Sequence, residues 1–220
     1  MHHRLRDGLS WCLYNQQTVF LDLPHDRYFR LAADDELAFQ QWTMTGAIGS
    51  AGARRLIDAG VLIASPTPSP SQTMTRVATP STDLSEEAYG EARLVDIGRG
   101  LFAQRRATSL VRRGKLASAI AAIRLGPNAR KPPRHDPNAA VRRIAAAFAS
   151  TPLTMRKGKQ CLPRALAAGV LCRAAGAAPT LVFGVQLEPF AAHCWLQWKG
   201  AVIVGDLEQA RMFAPILAVP

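Results

Sequence analysis

Cysteine is scarce and poorly spaced for a scaffold. The four residues Cys12, Cys161, Cys172 and Cys194 are separated by 149, 11 and 22 positions, which leaves no C-x-x-C pair, no zinc-ribbon spacing and no dense secreted disulfide framework. Free thiols in a reducing compartment are expected. Long apolar runs are also lacking: the longest, near the C-terminus, is broken by Arg173 and Pro179 well short of the roughly 20 residues a membrane span needs. The first twenty residues hold Arg4, Arg6, Asp7, Trp11 and Tyr14 among polar neighbours and offer no h-region for secretion. A cytoplasmic protein without a membrane partner is the expectation. Neither Gly114-Lys115 nor Gly158-Lys159 has a glycine five positions before its own, so there is no Walker P-loop. His2, His3, His25 and His135 have no metal-ligand spacing, and no metal or cofactor is expected. No period of 20 to 50 residues recurs, which excludes a repeat array.

What is present is enough to fold: 220 residues, 48% hydrophobic and 20% charged, exclude a disordered chain. Charge is unevenly spread. Residues 1–90 hold 7 arginines and 10 acids, whereas residues 91–220 hold 20 lysines and arginines and 6 acids. A basic half fits nucleic acid, an acidic peptide or solvated helix faces.

Residues 65–83 are crowded with Pro, Ser and Thr and carry almost nothing to bury, so they cannot repay their ordering entropy and are read as a linker. It divides the chain into a module at 1–64 and a domain at 84–220. In the module, runs at 10–14, 18–23 and 27–31 are rich in aromatic and β-branched residues and are parted by turn residues, which predicts a three-stranded meander. Asp34 is the expected N-cap of a first helix and Ser50 of a second that ends at Gly60, with a strand from Val61. Strands followed by helices over about 64 residues fit a small winged-helix-like module. In the domain, residues 84–126 read as helical with a break at Gly114, residues 128–137 as a loop, and Asn138 as the cap of a helix through Ala149. One helix and then strands follow Pro152. The fold class is α+β.

Cys161 lies just before a helical stripe of Leu162, Ala165, Leu166, Gly169 and Val170, and Pro163 is tolerated only in a first turn. The cysteine is thereby placed at a helix N-terminus, where unsatisfied N–H groups and the macrodipole favour a thiolate; the alternative is a small buried core residue. Downstream, two strand-like runs flank Lys199-Gly200. If these two form the turn, Trp198 pairs with Ala201 and the continued register sets His193 opposite Asp206, with Cβ atoms roughly 5 Å apart. Lys-Gly is a weaker turn signal than Asn-Gly, and a bulge would shift the register by one. A helix-borne Cys, a strand-borne His and a carboxylate make the arrangement used for acyl transfer. Cys161 attacks a carbonyl, His193 moves the proton and Asp206 steadies His193. The backbone N–H of Cys161 is the natural oxyanion donor, with Gln160 a second candidate. Cys172 and Cys194 read as core, and Trp195 shares the face of His193.

These residues resemble the B proteins of lasso peptide biosynthesis, in the form that fuses a peptide-recognition element to a transglutaminase-like (papain-like) cysteine peptidase. The likeness rests on Cys161-Leu162-x-Arg164-Ala165-Leu166, Gly176, a strand with Gly184, then Pro189-Phe190-Ala191-Ala192-His193-x-Trp195, and Asp206. Gln197 stands where the family commonly has an acid, and Cys194 where it has a small apolar residue. The N-terminal likeness rests on Val19-Phe20-Leu21-Asp22-Leu23 and Arg27-Tyr28-Phe29-x-Leu31. The resemblance implies removal of the leader from a ribosomal precursor peptide. The leader would add as a strand beside residues 27–31 and pack against residues 54–57, with Tyr28, Phe29, Leu31 and Leu56 as leader-binding residues; the sequence leaves open which of them are core. It further implies delivery of the core peptide to a companion ATP-dependent lasso cyclase, for which the basic tract at 99–115 is a candidate contact. The same triad also suits a transglutaminase or amine acyltransferase, and a non-catalytic precursor escort is a third reading. A nucleic-acid regulator is disfavoured because the winged-helix-like part is the acidic half.

Overall fold

The computed structural model describes residues 2–67, 75–88, 90–125, 136–151 and 160–220. The chain forms two compact units, Met1–Arg76 and Val77–Pro220.

The first unit contains β1 (His2–Leu5), β2 (Leu9–Tyr14), β3 (Gln17–Asp22), β4 (Arg27–Phe29), α1 (Ala33–Thr45), α2 (Ser50–Asp58) and β5 (Leu62–Ser65). Strands β2, β3 and β4 form an antiparallel sheet in that order, the expected meander. Its first turn is tight because Asn15 and Gln16 both take positive φ, 47° and 65°, the backbone a two-residue hairpin needs. Strand β1 pairs antiparallel with β5. It was invisible to pattern reading because His2, His3 and Arg4 carry no apolar alternation. The helix boundaries also differ from expectation. Ala32 is the N-cap of α1, and Asp34 sits inside the first turn with Asp35 and Glu36, where carboxylates offset the helix dipole. Gly49 caps α2, so Ser50 is its first residue.

The core of this unit is built on aromatic rings. Phe39 meets Trp11 edge-on at 5.2 Å and Phe20 at 4.8 Å, while Phe20 stacks on Phe29 at 5.0 Å. Leu5, Leu56 and Leu62 are fully buried around them. One carboxylate ties the sheet to the rest: buried Asp22 accepts from Arg6 Nη2 at 2.7 Å and Arg27 Nε at 3.2 Å and bonds His25 Nδ1 at 2.8 Å. Burial pushes the Asp22 pKa up, but His25, Arg6 and Arg27 outweigh it and hold the carboxyl below its usual range.

The second unit contains β6 (Thr82–Asp83), α3 (Leu84–Glu87), α4 (Leu94–Arg112), α5 (Leu116–Leu125), α6 (Pro137–Ser150), α7 (Cys161–Ala174), β7 (Thr180–Leu187), β8 (Phe190–Trp198), β9 (Ala201–Val204), α8 (Leu207–Met212) and β10 (Ala214–Val219). The five-stranded sheet runs β10-β7-β8-β9-β6, all antiparallel except β6 beside β9. Residues 77–83, read from composition as linker, lie within this unit: Gln197 Nε2 donates to the Ala78 carbonyl at 2.9 Å and Arg211 Nε to that of Pro80 at 3.3 Å. The expected break at Gly114 is present, with φ 67°. Asp136, not Asn138, caps α6, accepting from the Asn138 N–H at 2.9 Å, and Pro137 takes the first position, where its missing N–H costs nothing. Most of the expected loop at 128–137 lies outside the described residues.

Helix α7 is the central helix. Ala165, Ala167, Ala168 and Gly169 are all buried, and their small size lets neighbours close in on several sides: a Cβ on Gly169 would lie 3.2 Å from Ile123 and 3.5 Å from Leu196. On the opposite face of the sheet, Trp195 packs with Val182, Val202 and Ala210. Its indole fills the space that two glycines leave. A Cβ on Gly184 would come within 2.8 Å of the ring, and one on Gly205 within 2.7 Å of the Trp195 Cβ.

Two stability outcomes follow from this packing. Gly184→Val forces the indole or Phe213 to move and is expected to cost about 1 to 3 kcal/mol or more, as overpacked sites do, in a denaturant titration of the full chain. Asp22→Asn is expected to cost the first unit about 1 to 2 kcal/mol near neutral pH, its partners being partly exposed. Because the folded-state pKa of Asp22 is depressed, this contribution is present above the ordinary carboxylate range and is lost as pH falls through the folded value. The gap between Asp22→Asn and the parent should therefore close in acid; a gap that persists there would contradict the assignment.

Candidate active site

Helix α7 begins at Cys161, with Gln160 as its N-cap and Pro163 in its first turn. The first N–H groups of a helix have no intrahelical acceptor, so a thiolate at this position faces unpaired donors. Two interactions hold this helix end. Gln104 Nε2 on α4 donates to Gln160 Oε1 at 2.6 Å. Arg164 reaches back to the end of α6, donating to the Phe148 carbonyl at 2.5 Å and to Thr151 Oγ1 at 3.1 Å and lying over the Phe148 ring.

The other half of the site comes from β8. The turn to β9 is tight, with Lys199 and Gly200 at φ 51° and 81°, and Trp198 pairs with Ala201 as expected. The register then slips by one, because Leu196 pairs with Val204 instead of Ile203. Strand β9 ends there, and Gly205, at φ 141°, turns the chain away, a backbone angle that L side chains rarely adopt. The edge of β8 beside Cys194 and His193 is thereby left to the N-terminus of α7.

Cys161 fills that edge. Its thiol is held by the Cys194 thiol first, then by the His193 imidazole and by the Cys194 backbone N–H, and these outweigh desolvation to bring its pKa down to about 4. The other thiols behave oppositely. Burial pushes Cys12 and Cys172 up to about 12, and burial together with the neighbouring Cys161 pushes Cys194 up further. The only depressed thiol among the described residues is thus the one beside an imidazole, the environment that makes a sulfur nucleophilic at neutral pH. Cys194 lies in the core, as its strand position predicts, and also touches the nucleophile. Its place next to His193 on the strand nearest the helix end was the available signal.

His193 is set against two rings, Phe213 at 5.4 Å and Trp195 at 6.2 Å between centroids. Trp195 is fixed in turn through its indole N–H, which donates to Gln197 Oε1 at 2.8 Å. Position 197 therefore holds an amide bridge from the indole to the Ala78 carbonyl.

The opposed pair of His193 and Asp206 expected from the unbroken register is not formed. Asp206 leaves the strand to become the N-cap of α8, where its Oδ1 accepts from the Gln209 N–H at 2.9 Å. His193 Nε2 is buried and has no hydrogen-bond partner among the described residues. The bulge and Gly205 are the physical reason. Cys161, His193 and Asp206 nonetheless line one cavity of about 810 Å³, together with Gln160, Arg164 and Glu86. Glu86 was not singled out in the sequence. Among the described residues no group of His, Cys, Asp and Glu could hold a metal ion.

The expected leader-binding residues separate by burial. Tyr28 and Phe29 on β4, and Leu31 after it, are half-buried. Leu56 is fully buried in the core of the first unit, so it supports that surface from within and cannot contact a ligand directly.

Residues 101–218, more than half of the chain, match the transglutaminase-like superfamily. Neither the curated proteins nor the solved structures gave a match. No helix among the described residues is long and apolar enough to cross a membrane.

The site predicts an unusual pH profile for alkylation. Iodoacetamide should modify Cys161 at a rate that is flat from pH 6 to 8 and falls only as pH approaches 4, because the thiolate persists down to its depressed pKa. An ordinary thiol, with a pKa near 8.5, would instead gain about tenfold per unit over that window. Cys194→Ala and His193→Ala should each move the inflection upward, read by mass spectrometry of the labelled peptide.

Proposed function

The chain belongs to the transglutaminase-like superfamily, which includes cysteine peptidases and acyltransferases, and on that premise we propose that it is a cysteine endopeptidase that removes the leader from a ribosomal precursor peptide of the lasso class. The observation that carries the reading is the Cys161 thiolate held against His193 in an open cavity. Cys161 adds to the scissile carbonyl, and the oxyanion is received by the Cys161 N–H at the head of α7. Protonated His193 gives its proton to the leaving amine, which departs as the new N-terminus of the core peptide. Water, deprotonated by the now neutral His193, then attacks the acyl-enzyme and frees the leader as a carboxylate. We assign Asp206 the steadying of His193. In support, the buried Nε2 is unpartnered, which costs about 1 to 3 kcal/mol, and Asp206 lines the same cavity.

The first unit has the form such substrates require. β4 is one of the two edge strands of its sheet, a place where an extended leader adds by backbone pairing, with Tyr28, Phe29 and Leu31 alongside. A module that is winged-helix-like and binds the leader would raise the concentration of the cut site near Cys161 to roughly millimolar. The freed amine then passes to an ATP-dependent cyclase.

The test is mass spectrometry of precursor peptide incubated with the full chain. Leader and core should appear as separate products. Cys161→Ala should abolish them, His193→Ala should slow them by about 10² to 10⁴, and Asp206→Ala should lower kcat with little change in KM. Persistent cleavage by Cys161→Ala would refute the nucleophile. Incorporation of a labelled amine in place of hydrolysis would assign the site to acyl transfer instead.

A further inference from the structure

The outer face of α4 is unlike the rest of the second unit's surface. Leu94, Val95, Leu101 and Phe102 are 88%, 58%, 46% and 65% exposed. At 3.6 residues per turn they share one side of the helix, with Gly98 between them adding no bulk. The same side continues beyond Phe102 as Arg105, Arg106 and Arg112, all exposed, with exposed Arg99 to its flank and exposed Arg113 and Lys115 just after the helix end. None of these cations is paired with an acid among the described residues. The nearby acids are engaged elsewhere: Glu91 with Arg142 at 2.7 Å, Glu87 with the same arginine at 3.8 Å, and Asp96 with Arg143 at 4.0 Å.

Four large exposed apolar side chains on one helix face form a patch of the kind that marks an interaction site. Unpaired arginines next to it add a field of one sign. The two halves follow one another along the helix axis. A bilayer would favour cations spread along both flanks of an apolar strip. Nucleic acid would use the arginines and leave Leu94, Leu101 and Phe102 in water. A second copy of this face offers the arginines no free carboxylate in either helix orientation, since the nearby acids are held by Arg142 and Arg143. The remaining fit is an acidic protein.

We propose that the outer face of α4 docks a partner protein that lays an apolar surface over Leu94, Leu101 and Phe102 and a cluster of carboxylates over Arg105, Arg106 and Arg112. Gln104, which holds Gln160 beside Cys161, lies on the adjoining flank of α4, one turn from Leu101. A partner seated over Leu101 thus lies within a helical turn of a residue that holds the start of α7. This surface is independent of the peptidase reading and stands or falls without it.

The probe is a fluorescent synthetic helical peptide whose one binding face carries leucines over its first half and glutamates over its second, titrated into the full chain and followed by anisotropy. Binding should occur and weaken as salt is raised. It should fall at least tenfold in Leu101→Ser with Phe102→Ser, and at least tenfold in Arg105→Glu with Arg106→Glu and Arg112→Glu. Both sets should leave the melting temperature and the rate of Cys161 alkylation unchanged. Should the serine pair melt early, Leu94→Gln, at a residue the fold hardly touches, replaces it and should weaken binding at least threefold. The proposal is overturned if the acidic peptide fails to bind, if either half of the footprint is indifferent, or if a lysine version binds equally well. It is also overturned if these variants instead abolish binding to phosphatidylglycerol vesicles or duplex RNA, or abolish self-association.

Discussion

The site depends on a strand edge left open. β9 follows β8 for two pairs, slips by one at Leu196 and ends at Val204, and Gly205 takes the chain away at a backbone angle almost reserved for glycine. A backbone N–H on a buried strand cannot go without an acceptor at little cost. In this fold the acceptor for Cys194 is the sulfur of Cys161. The Cys194 thiol and the His193 imidazole stabilise the charge on that sulfur further. The small residues of α7 serve the same end, since only a helix lined with alanine and glycine can lie so close to the sheet.

Much of this was legible in the sequence, and the parts that were not share a cause. Local signals carried far. Pro163 fixed the start of a helix at Cys161, the alternation around His193 gave a strand, and the aromatic runs of the first unit gave its meander. The failures lie where a choice made far along the chain decides. Lys199-Gly200 gave the right turn, yet the register slips two pairs later, and no short pattern records that. β1 depends wholly on β5, its partner some sixty residues away. Asp34 and Ser50 are good capping residues by type, but Ala32 and Gly49 hold the extended backbone at which each helix begins.

Cys194 illustrates the limit from the other side. Strand alternation placed it opposite His193 and in the core, and it is there. Alternation says nothing of what meets the strand end-on, and it is the N-terminus of α7, brought there by packing against α4 and α6, that makes this core thiol a neighbour of the reactive one.

Trp195 sits with no slack between the backbones of residues 184 and 205, is pinned through its nitrogen, and presents a flat shelf on which the His193 ring lies. A group already immobile when the reaction begins loses little freedom on reaching its transition state, and dipoles that need not turn stabilise new charge most cheaply. The rigidity that seems to serve only the interior of the sheet is therefore also a kinetic asset at its rim.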